Sequence, residues 1–117
     1  IAECGGMMYL GHAITNKQGQ SYPMVNLFPF ETSMKSMKLT LGYRSTAING
    51  HELLGHEFHY SEISGDKEIE TAGENYSARG KKTNTKLFRY KNVLASYTHY
   101  YFGEVALLKQ LLNITND

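Results

Sequence analysis

Ile1-Ala2-Glu3-Cys4-Gly5-Gly6-Met7-Met8-Tyr9-Leu10 opens the chain, and its reading decides the rest. Ile1-Ala2-Glu3 reads as the end of a strand and Cys4-Gly5-Gly6 as a sharp turn. Met7, Met8, Leu10 and Ala13 then line a short helix. A cysteine on such a turn has two physical advantages. The turn lifts its sulfur clear of the sheet, and a following helix N-terminus favours the thiolate. The glycines after it permit unusual backbone angles and leave space for a substrate. The N–H of Gly5, with Gly6 beside it, is placed to help hold an oxyanion, as in nucleophile elbows generally. The competing reading of Cys4 is a buried structural thiol, because free cysteine often behaves as a small hydrophobe.

Outward from the turn, Gly19, Ser21 and Pro23 mark a loop, and Met24 to Phe28 reads as a short apolar strand ended by Pro29. Lys38 to Ile48 alternates and predicts a strand. Asn49-Gly50 is a hairpin signal, and Gly55 to Ile63 is the aromatic-rich second strand. Ser64 to Lys86 is polar, with almost no apolar periodicity, and reads mainly as a long excursion holding one short strand. Leu87 to Tyr90 and Val93 to Tyr97 predict strands joined tightly at Lys91-Asn92. Val105, Leu108, Leu111 and Leu112 follow helical spacing, which predicts an amphipathic helix over Gly103 to Asn113. A strand-turn-helix start, a β-rich middle and a terminal helix suit an α/β domain whose first strands are absent.

The 117 residues fit one domain, and 41% hydrophobic with 20% charged residues excludes disorder. No apolar stretch approaches the ~20 residues of a membrane span. Twelve basic against eleven acidic residues give a net charge of +1, so no basic face exists for nucleic acid. Arg79, Lys81 and Lys82 read as a solvated loop. One cysteine and no signal peptide point to the cytoplasm. A start at Ile1 rather than Met, close to the glycine pair, predicts that residues 1–117 are the C-terminal piece of a longer protein. Its unpaired sheet edge predicts self-association.

Five histidines are candidates for chemistry: His12, His51, His56, His59 and His99. His51 and His56 lie five apart rather than the four a helical zinc-protease motif needs, so no metal site is expected from them. His56 and His59 lie three apart on a strand and should point to opposite faces. His99 follows the apolar strand Leu94-Ala95-Ser96-Tyr97, at a strand end where α/β active sites sit. A histidine there could take the proton of Cys4 and later protonate a leaving amine.

Four strings carry a resemblance, in order along nearly the whole chain. They are Ala2-Glu3-Cys4-Gly5-Gly6-Met7-Met8-Tyr9-Leu10-Gly11, Tyr22-Pro23-Met24-Val25 with Leu41-Gly42-Tyr43-Arg44, Gly55-His56-Glu57-Phe58-His59-Tyr60-Ser61, and Ala95-Ser96-Tyr97-Thr98-His99-Tyr100-Tyr101-Phe102-Gly103. Together they resemble the glutamine amidotransferase part of the cobyrinic acid a,c-diamide synthase family. The resemblance implies a class I glutamine amidotransferase-like fold, a flavodoxin-like sheet with helices. It implies that Cys4 attacks the glutamine amide with His99 as its base, and that ammonia amidates the a and c carboxylates of a corrin ring. It further implies ATP and Mg²⁺ in an N-terminal domain outside this chain. The commoner triad enzymes carry a glutamate where Tyr101 stands, so a Cys–His pair is expected here. Phe30 replaces the family's usual glycine after Pro29, and the glycine-rich segment that completes the oxyanion hole is expected upstream.

For His56, Glu57 and His59 two roles stay open: shaping the active-site wall, or satisfying buried partners on a crowded strand. Two functional alternatives also stand. One is a related tetrapyrrole diamide synthase, such as that for nickel-sirohydrochlorin. The other is a non-catalytic interaction domain that retains the fold.

Overall fold

Period-two alternation of burial builds most of this protein. The computed structural model describes residues 1–48, 50–101, 103, 106 and 109. Among them, eleven strands and a six-residue helix follow in order, and Ala106 and Lys109 are also helical. The chain begins with β1 (Ala2–Glu3), α1 (Gly5–Leu10), β2 (Ala13–Thr15), β3 (Ser21–Pro23) and β4 (Glu31–Ser33). It continues through β5 (Thr40–Ile48), β6 (His51–His59) and β7 (Glu62–Ser64) to β8 (Thr71–Ser77) and β9 (Lys82–Tyr90). It ends with β10 (Val93–Ser96) and β11 (His99–Tyr100).

A seven-stranded sheet runs β1-β10-β9-β8-β5-β6-β11, and a four-stranded one runs β3-β2-β4-β7. The long hairpin β5–β6 pairs from Ile48↔His51 to Thr40↔His59. Gly50 takes φ 77° in its turn, as the hairpin signal requires; Asn49 lies outside the described residues. The two ends of the larger sheet are nearly continuous in sequence, since only Tyr97 and Thr98 separate β10 from β11. β11 pairs with β6, His99 opposite His56 and Tyr100 opposite Gly55. The sheet therefore curls until its last strand continues the chain of its second.

This curl gives β9 and β10 two covered faces. Leu87 and Leu94 join Ile48, Leu53 and Tyr100 in one buried cluster. Their neighbours Phe88 and Ala95 point the other way, into a second cluster with Met7, Met8, Phe28, Phe30 and Tyr97. Phe28 and Phe30 stack with centroids 5.5 Å apart, and Phe30 meets Phe88 at 5.6 Å. Such pairs add about 0.5–1.5 kcal/mol each beyond burial. Helix α1 and the β4 approach thus pack on the outside of the curled sheet, and this fixes the elbow that α1 follows.

Polar side chains share the interior of the curl. Thr46 Oγ1 donates to Asn75 Oδ1 at 2.5 Å, and Asn75 Nδ2 donates to Thr98 Oγ1 at 3.2 Å. Thr46, Asn75 and Thr98 are all fully buried. Each finds a partner, as buried polar groups must.

The architecture is mixed and sheet-dominated, with less helix than the α/β expectation. Helix α1 is six residues long. Within the helix expected over Gly103 to Asn113, Ala106 and Lys109 are helical, and the other residues apart from Gly103 lie outside the described ones. The polar excursion is not a loop: it supplies two strands, β8 and β9, whose inward positions are Asn75, Thr85 and Leu87. Lys82 begins β9 and pairs with Glu74, so of the expected loop cluster only Arg79 and Lys81 lie in the Ser77–Lys81 turn, while residues 65–70 also stay outside the strands. The apolar run Met24 to Phe28 is not a strand. Its amides cap the end of α1, Val25 donating to Tyr9 O and both Leu27 and Phe28 to Leu10 O. Ala13 lies in β2 rather than on the helix, which stops at Leu10. At Gly11 an added Cβ would lie 2.6 Å from the ring of Phe30, so that ring takes the space a side chain would need.

Candidate active site

Cys4 stands between β1 and α1 with φ 51° and ψ −110°. L residues reach that region rarely, at a cost of about 1–3 kcal/mol, and such outliers cluster at functional sites. The turn was expected to place its strain on the glycines. Instead it falls on the cysteine itself, while Gly5 and Gly6 are helical residues of α1 without positive φ. The space beside those glycines is nevertheless open. An added Cβ on Gly5 meets nothing within 4 Å, and one on Gly6 meets only Ala2 Cβ, at 3.6 Å. The Cys4 amide donates to Ser96 O at 2.8 Å, which anchors the elbow on β10.

The sulfur lies 4.0 Å from the carbonyl oxygen of Phe58 on β6. Burial pushes the Cys4 thiol above its ordinary value; the Gly5 N–H opposes this, and the Glu57 and Glu3 carboxylates reinforce it. The resting group is therefore a protonated thiol at neutral pH, and attack requires a base.

His99 opens β11, opposite His56 of β6. Its ring stacks on that of His56, with centroids 5.2 Å apart and planes 23° from parallel. His56 Nδ1 lies 3.2 Å from the Tyr101 hydroxyl. β11 meets β6 at Gly55 and His56, and the sulfur of Cys4 meets it at the Phe58 carbonyl. The two candidates thus abut one strand two residues apart, or about 7 Å of strand. A second tie links their neighbours: Glu3 Oε2 accepts the Tyr100 N–H at 2.6 Å.

Gly55 makes this approach possible. An added Cβ would overlap the His99 carbonyl oxygen and lie 2.7 Å from Thr98 Cγ2. Gly55→Ala is expected to lower stability by about 1–3 kcal/mol, the usual cost of overpacking, and to slow reaction at Cys4 by displacing β11. Denaturant unfolding and thiol alkylation measure the two effects.

His56 and His59 do take opposite faces, His56 exposed and His59 buried. Behind the thiol, Glu57 is fully buried and collects four donors. Arg44 Nε reaches Oε1 at 3.1 Å, Thr98 Oγ1 reaches it at 3.4 Å, and Thr85 Oγ1 also donates to it. His59 Nε2 lies 3.0 Å from Oε2, and His59 Nδ1 lies 3.0 Å from Ser61 O. Both ring nitrogens face acceptors, so these bonds are all made only when both carry protons. The ring of His59 stacks on Tyr97 at 3.7 Å, and the Tyr97 hydroxyl lies 2.7 Å from Ser61 Oγ. Burial raises the Tyr97 hydroxyl to about 12, so it remains a neutral phenol. This geometry decides the open question for Glu57 and His59 in favour of buried satisfaction. Sequence reasoning missed the Arg44 partnership, for which residue spacing along the chain gives no signal. It also missed the Glu3 contact.

A groove of about 410 Å³ runs along the outer face of β5 and β6, lined by Leu41, Gly42, Tyr43, His56, Phe58 and Tyr101 among others. That volume lies in the range of small-molecule clefts, about 300–1,000 Å³. Among the described residues, no group of three or more His, Cys, Asp or Glu is arranged to hold a metal ion. No helix among them is long and apolar enough to cross a membrane.

A strained cysteine on a strand-to-helix turn thus stands beside a histidine-bearing strand. The chain belongs to the CobB/CobQ-like glutamine amidotransferase domain family, whose model matches residues 1–106. It is similar to cobyrinate a,c-diamide synthase of Priestia megaterium, 37% identical over 111 residues that cover 88% of this chain and 24% of the relative. The enzyme of that name from Herminiimonas arsenicoxydans is 36% identical over 105 residues, covering 88% and 23%. That from Sulfurisphaera tokodaii is 37% identical over 112 residues, covering 88% and 25%. The chain spans about a quarter of the length of these relatives. Family and relatives together support a glutamine amidotransferase role.

Proposed function

We propose that this chain is the glutamine-hydrolysing part of an ATP-dependent ligase that amidates the a and c carboxylates of cobyrinic acid. The observation that carries the reading is the backbone of Cys4, held at φ 51° on the strand-to-helix turn. In this reading His99 accepts the thiol proton as Cys4 Sγ attacks the side-chain amide carbon of glutamine. A tetrahedral oxyanion forms, and the Gly5 N–H donates to it, with Gly6 leaving room beside it. Collapse breaks the carbon–nitrogen bond, and His99 returns its proton so that the nitrogen leaves as ammonia. Water, deprotonated by the same imidazole, then hydrolyses the glutamyl thioester to glutamate and free thiol.

The ammonia would be used on a corrin carboxylate. The reading assigns ATP, Mg²⁺ and the corrin to the three quarters of the relatives' length that this chain does not span. No step above is routed through them.

A diazoketone analogue of glutamine tests the reading. One adduct per chain, mapped to Cys4 by mass spectrometry and suppressed by excess glutamine, is the expected result. Because burial raises the thiol, labelling by simple iodoacetamide should climb about tenfold per pH unit through neutrality. The analogue, whose attack uses the imidazole, should depend on pH far less steeply. Adducts that ignore glutamine, or that form elsewhere, would overturn the proposal.

A further inference from the structure

The search for chemistry outside the pair turns on one contact. Glu3 directly precedes Cys4, and Tyr100 directly follows His99. The Glu3 carboxylate accepts the Tyr100 N–H at 2.6 Å. We propose that Glu3 is a positioning residue, pinning the strand that carries His99 to the strand that carries Cys4. The inference rests on the glutamine-hydrolysing reading above.

Three observations carry it. First, β11 is two residues long and, among the described residues, pairs with β6 alone. The next amide, of Tyr101, turns toward β6 and donates to Leu54 O at 2.9 Å. The Tyr100 amide faces away from β6, toward the Glu3 carboxylate that accepts it. Second, the acceptor is a carboxylate and the bond is short, and charge-assisted bonds are roughly twice as strong as neutral ones. Third, β1 rests on β10 through Ala2↔Ala95 and Glu3↔Ser96, and its main chain makes no pairing with β11. The Glu3 side chain ties the elbow's strand directly to β11. β11 is otherwise held by the β6 edge, by the connection from β10 and by the buried Tyr100 side chain, whose hydroxyl meets Thr46, Asn75 and Ser96. Misplacement by about 1 Å can cost a factor of about 100 in rate.

The experiment compares Glu3→Ala and Glu3→Gln in the full chain with two thiol reagents. Iodoacetamide needs only Cys4; the diazoketone analogue of glutamine needs Cys4 and its base together. Glu3→Ala is expected to slow maximal adduct formation by the analogue at least about tenfold, with its half-saturation little changed and the iodoacetamide rate equal or raised, because the Glu3 charge opposes the thiolate. Glu3→Gln keeps an oxygen able to accept the Tyr100 N–H, and is expected to recover most of the analogue rate. Circular dichroism of both variants confirms folding, and Glu3→Asp replaces Glu3→Ala if the latter unfolds; it should show the same selective loss. Glu3→Ala reacting like wild type with the analogue sinks the positioning role alone. So does an equal loss with both reagents, or no recovery in Glu3→Gln. Wild type that never reacts with the analogue sinks the glutamine reading and this inference together.

Discussion

His99→Ala is expected to slow attack by Cys4 on a glutamine substrate or analogue by about 10²- to 10⁴-fold, the usual contribution of a positioned base. Cys4→Ala should abolish glutamine hydrolysis, a loss of about 10⁴-fold or more for a nucleophile. The reasoning is electrostatic. Burial holds the thiol protonated, and two carboxylates push the same way. Only a group that accepts the proton during attack can make the sulfur nucleophilic near neutral pH. His99 shares the β6 edge with the sulfur, two residues along. Removing it should leave iodoacetamide labelling at high pH unchanged, because the hydroxide-generated thiolate needs no base. Equal rates of analogue labelling in wild type and His99→Ala would sink the pair. Cys4→Ser tests shape against chemistry, since it keeps the elbow but raises the cost of deprotonation.

Glu57→Ala is expected to destabilise the fold by about 3–5 kcal/mol, the range for breaking a buried ion pair from one side. Arg44 and His59 would lose their common acceptor, as would the hydroxyls of Thr85 and Thr98. The side chain of Arg44 is only 10% exposed and that of Glu57 is 0% exposed, so water cannot replace the lost partner. For a domain near this size the thermal midpoint should fall by at least about 12 °C, at roughly 4 °C per kcal/mol. Burial alone would raise the Glu57 carboxyl. Hydrogen bonds from His59 and Thr85, and then the charge of Arg44, outweigh it and hold the group below its ordinary value. The unfolded chain thus binds this proton more readily than the folded one. The stability that Glu57 contributes is present above its ordinary value of 4.5 and is lost as pH falls through the lower folded value. Glu57→Gln should therefore lose less stability than Glu57→Ala and show a flatter decline in acid. Equal midpoints for wild type and Glu57→Ala across pH would overturn this account.

The elbow was legible in sequence because its signal is local. Cys4, two glycines and an apolar helix start suffice to predict a strand, a turn and a short helix. The β5–β6 hairpin was legible for the same reason, through a two-residue turn between alternating runs. β8 and most of β9 were not, because their inward positions are Asn75, Thr83 and Thr85 rather than aliphatic residues. Such strands read as polar loops, since the pattern rule assumes that the buried face is apolar. The apolar run from Met24 misled in the opposite sense. Its amides serve the carbonyls at the end of α1, and Phe28 fills the outer cluster, so it is buried without being a strand. The low helix content also escaped prediction. Here α1 and the aromatic cluster cover the outer face of β9 and β10, where helical layers were expected. Within the site, Cys4, Gly5, Gly6 and His99 were named from sequence. Glu3 and the Arg44–Glu57 pair needed coordinates, because their partners lie across strands whose register the sequence alone leaves undetermined.

Among the described residues β1 pairs with β10 alone, almost the whole chain away in sequence. Contacts of such long sequence separation form slowly, because the intervening loop must close before they repay its entropy. During synthesis Ala2–Glu3 leaves the ribosome long before Val93–Ser96, the strand it pairs with. The pairing that anchors the turn at Cys4 therefore forms only once β10 has emerged. In the glutamine-hydrolysing reading the Cys4–His99 pair is complete only after β11 has followed, so a polypeptide terminated before it carries the thiol without its base.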